Sequence, residues 1–284
     1  MDWLEKLNAS LDYMENHLAG ELDVKAAAQI AGCSVYHYQR MFSYLAGTPL
    51  SEYVRRRRMS LAAVDLQNGG KVVDVALKYG YESPTAFNRA FQSVHGAAPS
   101  AAQKEGASLK AYPRISFTIS IKGETEMEYR IEKRDEIRIV GVAAALSKDL
   151  EENFQEVPAL WGKAATDGTV MRLADMMDSD PKGILGVSAC HADDQWKYYV
   201  AAATTQPVPE GMEEYTIPAC TWAVFSGQGP MPGAIQELEK RVVSEWLPTS
   251  GYEYANAPDI EVYLEPNPVA AKFEVWLPVA KKEN

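Results

Sequence analysis

The chain has 284 residues, of which 46% are hydrophobic, and a formal net charge of −11, so it can bury two cores but is not drawn to nucleic acid by its overall charge. No stretch approaches the roughly 18 apolar residues that cross a bilayer, and the amino terminus is acidic where a signal peptide would be basic, so we expect a cytoplasmic protein without membrane contact. Three cysteines and four histidines lie scattered along the chain, which predicts no disulfide, metal site or cofactor.

Two similar pairs of helices are predicted in the amino-terminal third. The first pair covers residues 24–31 and 35–42, and the second covers residues 72–78 and 83–94. In each pair a glycine follows the first helix, where a C-cap needs a positive φ, and a serine precedes the second helix as an N-cap. Each pair therefore reads as a helix-turn-helix whose second helix enters the major groove of DNA.

The outward side chains of the second helix in each pair are the candidate DNA-binding residues. Arginine pairs with guanine and glutamine with adenine through two hydrogen bonds in the major groove. The candidates are Tyr36, Gln39 and Arg40 in the first pair, and Pro84, Thr85, Asn88 and Arg89 in the second. By helical spacing, Met41 and Phe42 of the first pair, and Phe87 and Phe91 of the second, face the core. We expect His37 to be a solvated surface side chain.

Four consecutive arginines, residues 55–58, lie on a helix that links the two pairs. Four successive helical residues point to all sides, so at most two of them can approach one phosphate strand. The other two are expected to be solvated or paired with Glu52 and Asp65.

The residues of the second pair and those after it resemble the signature of AraC-type transcription regulators. The motif lies in residues 74–76, 80–83, 87–91 and 96–100, and the resemblance covers roughly residues 5–104. It implies a regulator that binds double-stranded DNA and that can contact RNA polymerase. The chain departs from the family at Ala102-Gln103, where Tyr-Arg is common, and we expect at most one backbone contact to be lost.

Charge is distributed unequally along the chain. Up to Lys104 there are eleven Lys and Arg against ten Asp and Glu, a balance of +1, and the remainder has seventeen against twenty-nine, a balance of −12. A near-neutral domain with clustered arginines can still bind phosphate through its local field. The acidic remainder must have a different role.

The composition changes after Pro99. We predict a DNA-binding domain over residues 1–104, a linker over 105–111 and a second domain over 112–284. In the second domain, alternation first predicts strands at 114–121, 129–133, 138–146, 184–190 and 196–203, with a helix at 150–163 after the third strand.

A second cycle of the same elements follows, with strands at 215–217, 223–225, 259–265 and 272–279 and a helix at 235–246. An internal duplication is the simplest account of this order. The predicted fold is therefore an all-α double helix-turn-helix domain followed by an α+β domain of two repeated strand-strand-helix-strand-strand units.

Two acidic residues stand in the apolar closing strands. Glu261 shares a strand face with Tyr263, and Glu274 shares one with Trp276. A carboxylate buried in such a strand is costly without a partner, so a ligand that is a hydrophobic cation, or a flat molecule with a polar group, would offset the cost. The alternative is that both strands lie at a sheet edge and that both carboxylates point to water.

The second domain resembles the GyrI-like effector-binding domain of multidrug-sensing regulators. The similar stretches are residues 115–123, 246–252, 259–263 and 273–279, and the resemblance spans roughly residue 112 to the end. It implies an aromatic pocket between the two repeats with a glutamate that receives cationic drugs. On the matching strands the resemblance makes Glu261 and Glu274 the acids and Tyr263 and Trp276 the walls, with Trp161 and Phe225 as further candidates.

The sequence thus predicts a transcription regulator whose second domain binds a small aromatic or cationic effector, and which is not an enzyme. One alternative is hydrolysis of a small molecule, with Glu261 and Tyr263 as acid or base, but no nucleophile-base pair, metal motif or phosphate loop accompanies them. The other is a second domain that binds a protein such as a polymerase or a topoisomerase.

Overall fold

The structure is a computed structural model, and it describes residues 3–118, 126–147, 150–190, 195–265 and 267–282. The chain divides into two compact units, Met1–Thr118 and Ile119–Asn284. Among the described residues, no helix has the length and apolar character needed to cross a membrane.

The regular structure of the first unit is helical. Its helices are α1 (Trp3–Asn16), α2 (Val24–Ala31), α3 (Val35–Ala46), α4 (Leu50–Gln67), α5 (Val72–Lys78), α6 (Pro84–His95) and α7 (Pro99–Ala102). The two predicted helix pairs are confirmed as α2–α3 and α5–α6, and α3 continues four residues beyond its predicted end at residue 42.

Capping explains why these helices begin and end where they do. Gly32 ends α2 at a φ of 77°, in the left-handed region, and its amide donates to carbonyls of the last turn. Ser34 Oγ accepts a hydrogen bond from the amide of His37 at 3.2 Å, and Ser83 Oγ accepts one from Ala86 at 3.4 Å. Pro84 occupies the first turn of α6, where its missing N–H has no helical partner to lose.

The segment after α7 is hydrogen-bonded to side chains of α1 and α4. The amide of Tyr112 donates to Ser60 Oγ at 2.9 Å, and the amide and carbonyl of Phe117 bond the side chain of Asn8. The strand predicted at 114–121 is therefore wrong over residues 114–118, which have no regular secondary structure, and the rest of it lies outside the described residues. The unit division at Thr118 differs from the predicted start of the second domain, and the domain boundaries remain a prediction.

His95 of α6 makes two hydrogen bonds, one to the segment after α7 and one to α4. Its buried ring accepts the Lys110 amide at Nδ1 (3.2 Å), and Nε2 lies 3.0 Å from the carbonyl of Met59. Because Nδ1 accepts, Nε2 must carry the proton and donate, so the ring is the neutral tautomer. Burial lowers the pKa of His95 from its ordinary value, with Lys110 adding to the effect and the Met59 bond opposing it.

We predict that acidification destabilises the helical unit through His95. Its depressed pKa means that the unfolded chain takes up a proton first, so stability is full above about pH 6.5 and falls as the pH drops towards the lower folded-state pKa. Thermal unfolding at about pH 7.5 and about pH 5 should show a larger loss of Tm in wild type than in His95→Gln. His17→Gln, at an exposed histidine, is the control and should behave like wild type. Equal losses in wild type and His95→Gln would contradict the assignment.

The second unit combines helices with strands in one large sheet. In chain order its elements are β1 (Tyr129–Arg134), β2 (Ile137–Leu146), α8 (Leu150–Thr166), α9 (Thr169–Met176), β3 (Ile184–Cys190), β4 (Trp196–Ala203), β5 (Glu213–Ile217), β6 (Cys220–Gly229), α10 (Gly233–Arg241), β7 (Tyr252–Tyr254), β8 (Asp259–Glu265) and β9 (Ala271–Lys281). A π-helical turn, Val242–Trp246, continues α10. The predicted α+β architecture is confirmed, while α9 and β7 were not predicted.

The sheet is antiparallel in every described pair, in the order β1-β6-β9-β8-β3-β4-β2-β5, with β7 beside β9. The order has an internal symmetry: β1 corresponds to β5, β2 to β6, β3 to β8 and β4 to β9. When each strand is replaced by its counterpart, the order is the same as when it is read from the opposite end. Such an order is what two similar halves would produce, although the duplication itself remains a prediction. The centre of the sheet is the β8–β3 pair.

The two faces of the sheet have different environments. Side chains of one face, which we call the core face, form a single buried cluster that includes Trp222, Trp276, Tyr199, Ile260 and Val262. The other face, which we call the helix face, carries α8 and α10: Trp161 of α8 bonds Tyr198 of β4, and Trp246 after α10 packs on Phe225 of β6.

Candidate DNA interface and effector site

The predicted reading side chains of α3 lie on its accessible side. Tyr36, Gln39 and Arg40 are half-buried, and Arg40 Nε donates to the hydroxyl of Tyr44 at 3.2 Å. The predicted inward residues of this helix, Met41 and Phe42, are buried as expected, together with Tyr38. The sequence favoured a solvated surface position for His37, and this was wrong: His37 is 3% exposed because it shares the inward face with Tyr38 and Met41.

The predicted reading side chains of α6 are more open. Pro84, Thr85 and Arg89 are exposed, and Asn88 is half-buried. Phe87 and Phe91 are fully buried, as predicted. The same outward face also carries exposed Gln92, whose amide lies 3.4 Å from Asn88 Oδ1. Sequence reasoning missed Gln92, although its spacing of four residues from Asn88 was a sufficient signal.

The four arginines of α4 have separate partners. Arg55 and Arg56 both pair with Glu52. Glu52 is one of the two acidic partners that the sequence predicted for the arginines. Arg57 pairs with Glu15 of α1 at 2.7 Å, and Arg58 donates to the carbonyls of Leu18 and Gly20.

The predicted pairing of these arginines with Asp65 was wrong. Asp65 accepts instead from Lys78 Nζ at 2.7 Å and from the hydroxyl of Tyr79 at 2.8 Å. Of the four arginines, Arg57 and Arg58 thus join α4 to α1 and to the segment that follows α1.

A groove of about 670 Å³ lies between the two helix pairs. Gln39 of α3 lines one side of it, and Tyr81 and Glu82, just before α6, line another. Arg58 also lines the groove. The two candidate reading helices are thus separated by a recess within the first unit.

Glu261 lies in the central strand pair, on the helix face of the sheet. Cross-strand partners place it in one row with Tyr129, Phe225, Val275 and Gly186. Directly opposed residues of antiparallel strands share a face, so the side chains of Tyr129, Phe225, Val275 and Glu261 all point to the side that carries α8 and α10. The predicted alternative of an edge position is therefore wrong for Glu261.

Two tyrosine hydroxyls hold the Glu261 carboxylate. Oε2 accepts a hydrogen bond from Tyr198 and another from Tyr263, each at 2.8 Å. Trp161 Nε1 donates to the hydroxyl of Tyr198 at 3.0 Å, and the Trp161 ring meets that of Tyr263 edge-on, with 4.7 Å between centroids. Burial, followed by the charge of Glu261, raises the pKa of Tyr198 well above its ordinary value, so its hydroxyl stays protonated and donates. Glu261, Tyr263 and Trp161 are half-buried and can be reached from outside.

Gly186 makes room for this arrangement. A Cβ at this position would overlap the hydroxyl of Tyr198 and would lie 2.7 Å from Glu261 Oε2. The Tyr198 side chain therefore crosses the sheet directly over a glycine, and a glycine within a strand is a known sign of such a close approach. Sequence reasoning missed both Gly186 and Tyr198, although the glycine inside an apolar strand was a signal.

Phe225 belongs to an aromatic cluster on the same face, beside α10. It is fully buried and lies 4.9 Å from Trp246 and 5.8 Å from Tyr129, measured between ring centroids. Phe225 lies two strands away from Glu261, with Val275 between them, which corresponds to a distance of about 10 Å. Phe225 thus supports the α10 side of the helix face.

Glu274 and Trp276 point to the opposite, core face of the sheet. Glu274 pairs with Val262, which belongs to the buried cluster, whereas Glu261 pairs with Val275. Arg130 donates two hydrogen bonds of 2.8 and 3.1 Å to the Glu274 carboxylate, and Trp276 Nε1 donates to the same carboxylate at 2.8 Å. The sequence predicted that both glutamates line one groove. This was wrong, because the register between β8 and β9 places Glu261 and Glu274 on opposite faces of the sheet.

Comparison with known proteins finds one family match within each unit. Residues 130–279 match the family described as integron-associated effector binding protein (Cass2), and residues 27–105 match a helix-turn-helix domain family. The HTH-type transcriptional activator AarP of Providencia stuartii is 40% identical over 91 residues, which cover 32% of this chain and 67% of AarP. The right origin-binding protein of Escherichia coli K12 is 25% identical over 99% of this chain and 100% of its own length.

Two solved structures are similar to about half of the chain. SAV2435 bound to tetraphenylphosphonium is 21% identical over 54% of this chain and 94% of its own, with a TM-score of 0.48. The integron cassette protein VCH_CASS2 of Vibrio cholerae is 17% identical over 54% of this chain and 95% of its own, with a TM-score of 0.40.

Proposed function

The chain belongs to the AraC-type transcription regulators that carry a Cass2-type, GyrI-like effector-binding domain, and on this basis we propose which side chains read DNA and which receive the effector. As a member of this family it is a DNA-binding regulator and not an enzyme. Contact with RNA polymerase is part of the proposal.

We propose that α3 and α6 read two segments of major groove. The reading side chains are Tyr36, Gln39 and Arg40 from α3, and Pro84, Thr85, Asn88 and Arg89 from α6. Their accessibility, and the rigid cores of Phe42 and Phe87 behind them, support this assignment. A helix must present its outer side chains without rearrangement if it is to discriminate bases.

We predict that Arg89→Ala weakens binding to a selected operator by about 1–3 kcal/mol and relaxes base preference at one position. Arg40→Ala should have a similar effect at a different position. Arg114→Ala, at an exposed arginine of the same unit, is the control for a general loss of positive charge. Binding to a panel of single-base operator variants measures the effect. A uniform loss across all sequences would assign the arginine to phosphate instead.

We propose that the second unit binds a hydrophobic cation beside Glu261. The observation that carries this proposal is a carboxylate in the middle of the sheet, held by Tyr198 and Tyr263 and bordered by the rings of Tyr263 and Trp161. Hydroxyl donors orient a carboxylate without cancelling its charge, and aromatic faces attract cations. Phe225 is fully buried against Trp246, so we propose that it supports the site from behind and does not contact the ligand. Glu274 is not part of this site, because Arg130 already neutralises it.

The test is a fluorescence titration of the full chain with tetraphenylphosphonium and with the neutral triphenylphosphine oxide. Glu261→Gln removes the charge and keeps the shape, so we expect it to weaken cation binding by about tenfold or more and to leave the neutral compound unaffected. Glu274→Gln is the matched control on the other face and should bind like wild type. Equal losses in both variants, or none in Glu261→Gln, would contradict the proposal.

A further inference from the structure

β1 lies at one end of the sheet, with one lateral edge turned away from the other strands. Among the described residues, β6 is the one strand that pairs with it. An edge strand presents a row of backbone N–H and C=O groups that can pair with another strand. The question is which strand this edge would accept.

From Tyr129 to Glu132 the side chains of β1 alternate between apolar and charged. Tyr129 and Ile131, on the helix face, are 51% and 38% exposed although they are large and apolar. Arg130, Glu132 and Arg134 lie on the core face. Three of the four charged residues of β1 thus share the core face, and Lys133 lies on the helix face.

We propose that β1 pairs antiparallel with β1 of a second copy, centred on Ile131. In this register Arg130 lies opposite the partner's Glu132, and Glu128 lies opposite the partner's Arg134. Tyr129 lies opposite the partner's Lys133, and the two Ile131 side chains meet on the twofold axis. Every pair of opposed charges is complementary and occurs twice, as a self-complementary interface requires.

Neighbouring registers place like charges together. Centring the pair on Arg130 would oppose the two Arg130 side chains and set Glu128 against Glu132. Centring it on Glu132 would oppose the two Glu132 side chains and set Arg130 against Arg134. Like charges directly opposite each other destabilise a strand pair, so the charges favour the register centred on Ile131 over these two.

The charged side chains are already held in place within one chain. Arg130 bonds Glu274 and Glu132, and Arg134 donates to Glu132 at 2.7 Å while its guanidinium lies over the ring of Trp276, 5.5 Å from the centroid. Side chains that are ordered beforehand lose less entropy on association. A single added strand pair buries little area, so the dimer is weak, with a Kd on the order of micromolar.

Such a dimer goes beyond the proposed function and does not depend on it. It would join two regulators into one continuous sheet. Occupation of paired operator sites would then depend on protein concentration.

Sedimentation velocity of the full chain from about 1 to about 100 μM tests the proposal. Wild type should show concentration-dependent dimers. In the proposed dimer, Arg130 lies opposite the partner's Glu132 at two symmetric places. Arg130→Glu opposes two glutamates at each place, and Glu132→Arg opposes two arginines. Each variant alone should therefore stay monomeric. In an equimolar mixture of the two variants, the two glutamates of one chain face the two arginines of the other, so the mixture should dimerise again.

Recovery in the mixture separates a specific interface from damage to the fold, and circular dichroism of each variant checks that the fold is intact. A monomeric wild type across the range, or variants that associate as wild type does, would overturn the proposal. A mixture of folded variants that remains monomeric would also overturn it.

Discussion

Replacing Glu15 by alanine is expected to lower the free energy of unfolding of the helical unit by about 3–5 kcal/mol, because it leaves a buried charge without its partner. The Glu15 and Arg57 side chains are 8% and 12% exposed and joined by two further hydrogen bonds of 2.9 and 3.2 Å besides the ion pair. Glu15 also accepts from the hydroxyl of Tyr53 at 2.7 Å, and Arg57 donates to the carbonyl of Tyr112 at 2.6 Å. Urea unfolding, followed by helical circular dichroism, measures the loss.

Two controls define this prediction. Asp12→Ala breaks an ion pair with Arg114 whose members are about half exposed, so it should change stability by no more than about 1 kcal/mol. The double variant Glu15→Met, Arg57→Met removes both charges and should recover part of the loss seen in Glu15→Ala. If Glu15→Ala were no worse than Asp12→Ala, the buried pair would not be what joins α1, α4 and the segment at Tyr112.

Gly186→Ala is expected to weaken cation binding by about tenfold and to destabilise the second unit by about 1–3 kcal/mol. The added methyl would occupy the space of the Tyr198 hydroxyl and press on Glu261, so the carboxylate would lose its orientation. The backbone on either side is closed by partner strands β8 and β4, which prevents the glycine from moving away.

Gly162→Ala is the matched control, because it lies beside Trp161 on α8 and its Cβ would meet no atom within 4 Å. It should bind the cation like wild type and should be somewhat more stable, since alanine favours helix over glycine. Tetraphenylphosphonium titration and urea unfolding of both variants test the pair. Unchanged binding in Gly186→Ala would show that Tyr198 does not hold the working position of Glu261.

Local signals in the sequence were sufficient for much of the fold. Ser34 and Ser83 as N-caps, and Gly32 as a C-cap, set the helix bounds through contacts a few residues away. Local alternation failed for residues 114–118. Ile115 and Phe117 alternate with exposed residues there, but they do so on an extended segment that lies against helices, as the Phe117 contact with the Phe42 ring shows. Alternation alone cannot tell these two environments apart.

The effector site was predictable only in part, because it depends on how strands are aligned. Alternation correctly placed Tyr263 on the same face as Glu261. It could not show that Glu274 takes the opposite face, since a shift of one residue between β8 and β9 reverses that result. The Tyr198 hydroxyl comes from β4, more than sixty residues earlier in the chain, within a mostly apolar run that gave no local sign of its partner.

Coupling between the two units is tested by asking whether a ligand beside Glu261 changes the affinity of the chain for DNA. An operator is first selected from random duplexes with the full chain, and its Kd is then measured with and without saturating tetraphenylphosphonium for wild type and Glu261→Gln. We predict that the cation changes the operator Kd by about fivefold or more in wild type and not at all in Glu261→Gln. By reciprocity, the operator must change the cation Kd by the same factor. If wild type binds the cation while its operator affinity stays constant, the second unit does not regulate DNA binding through this site.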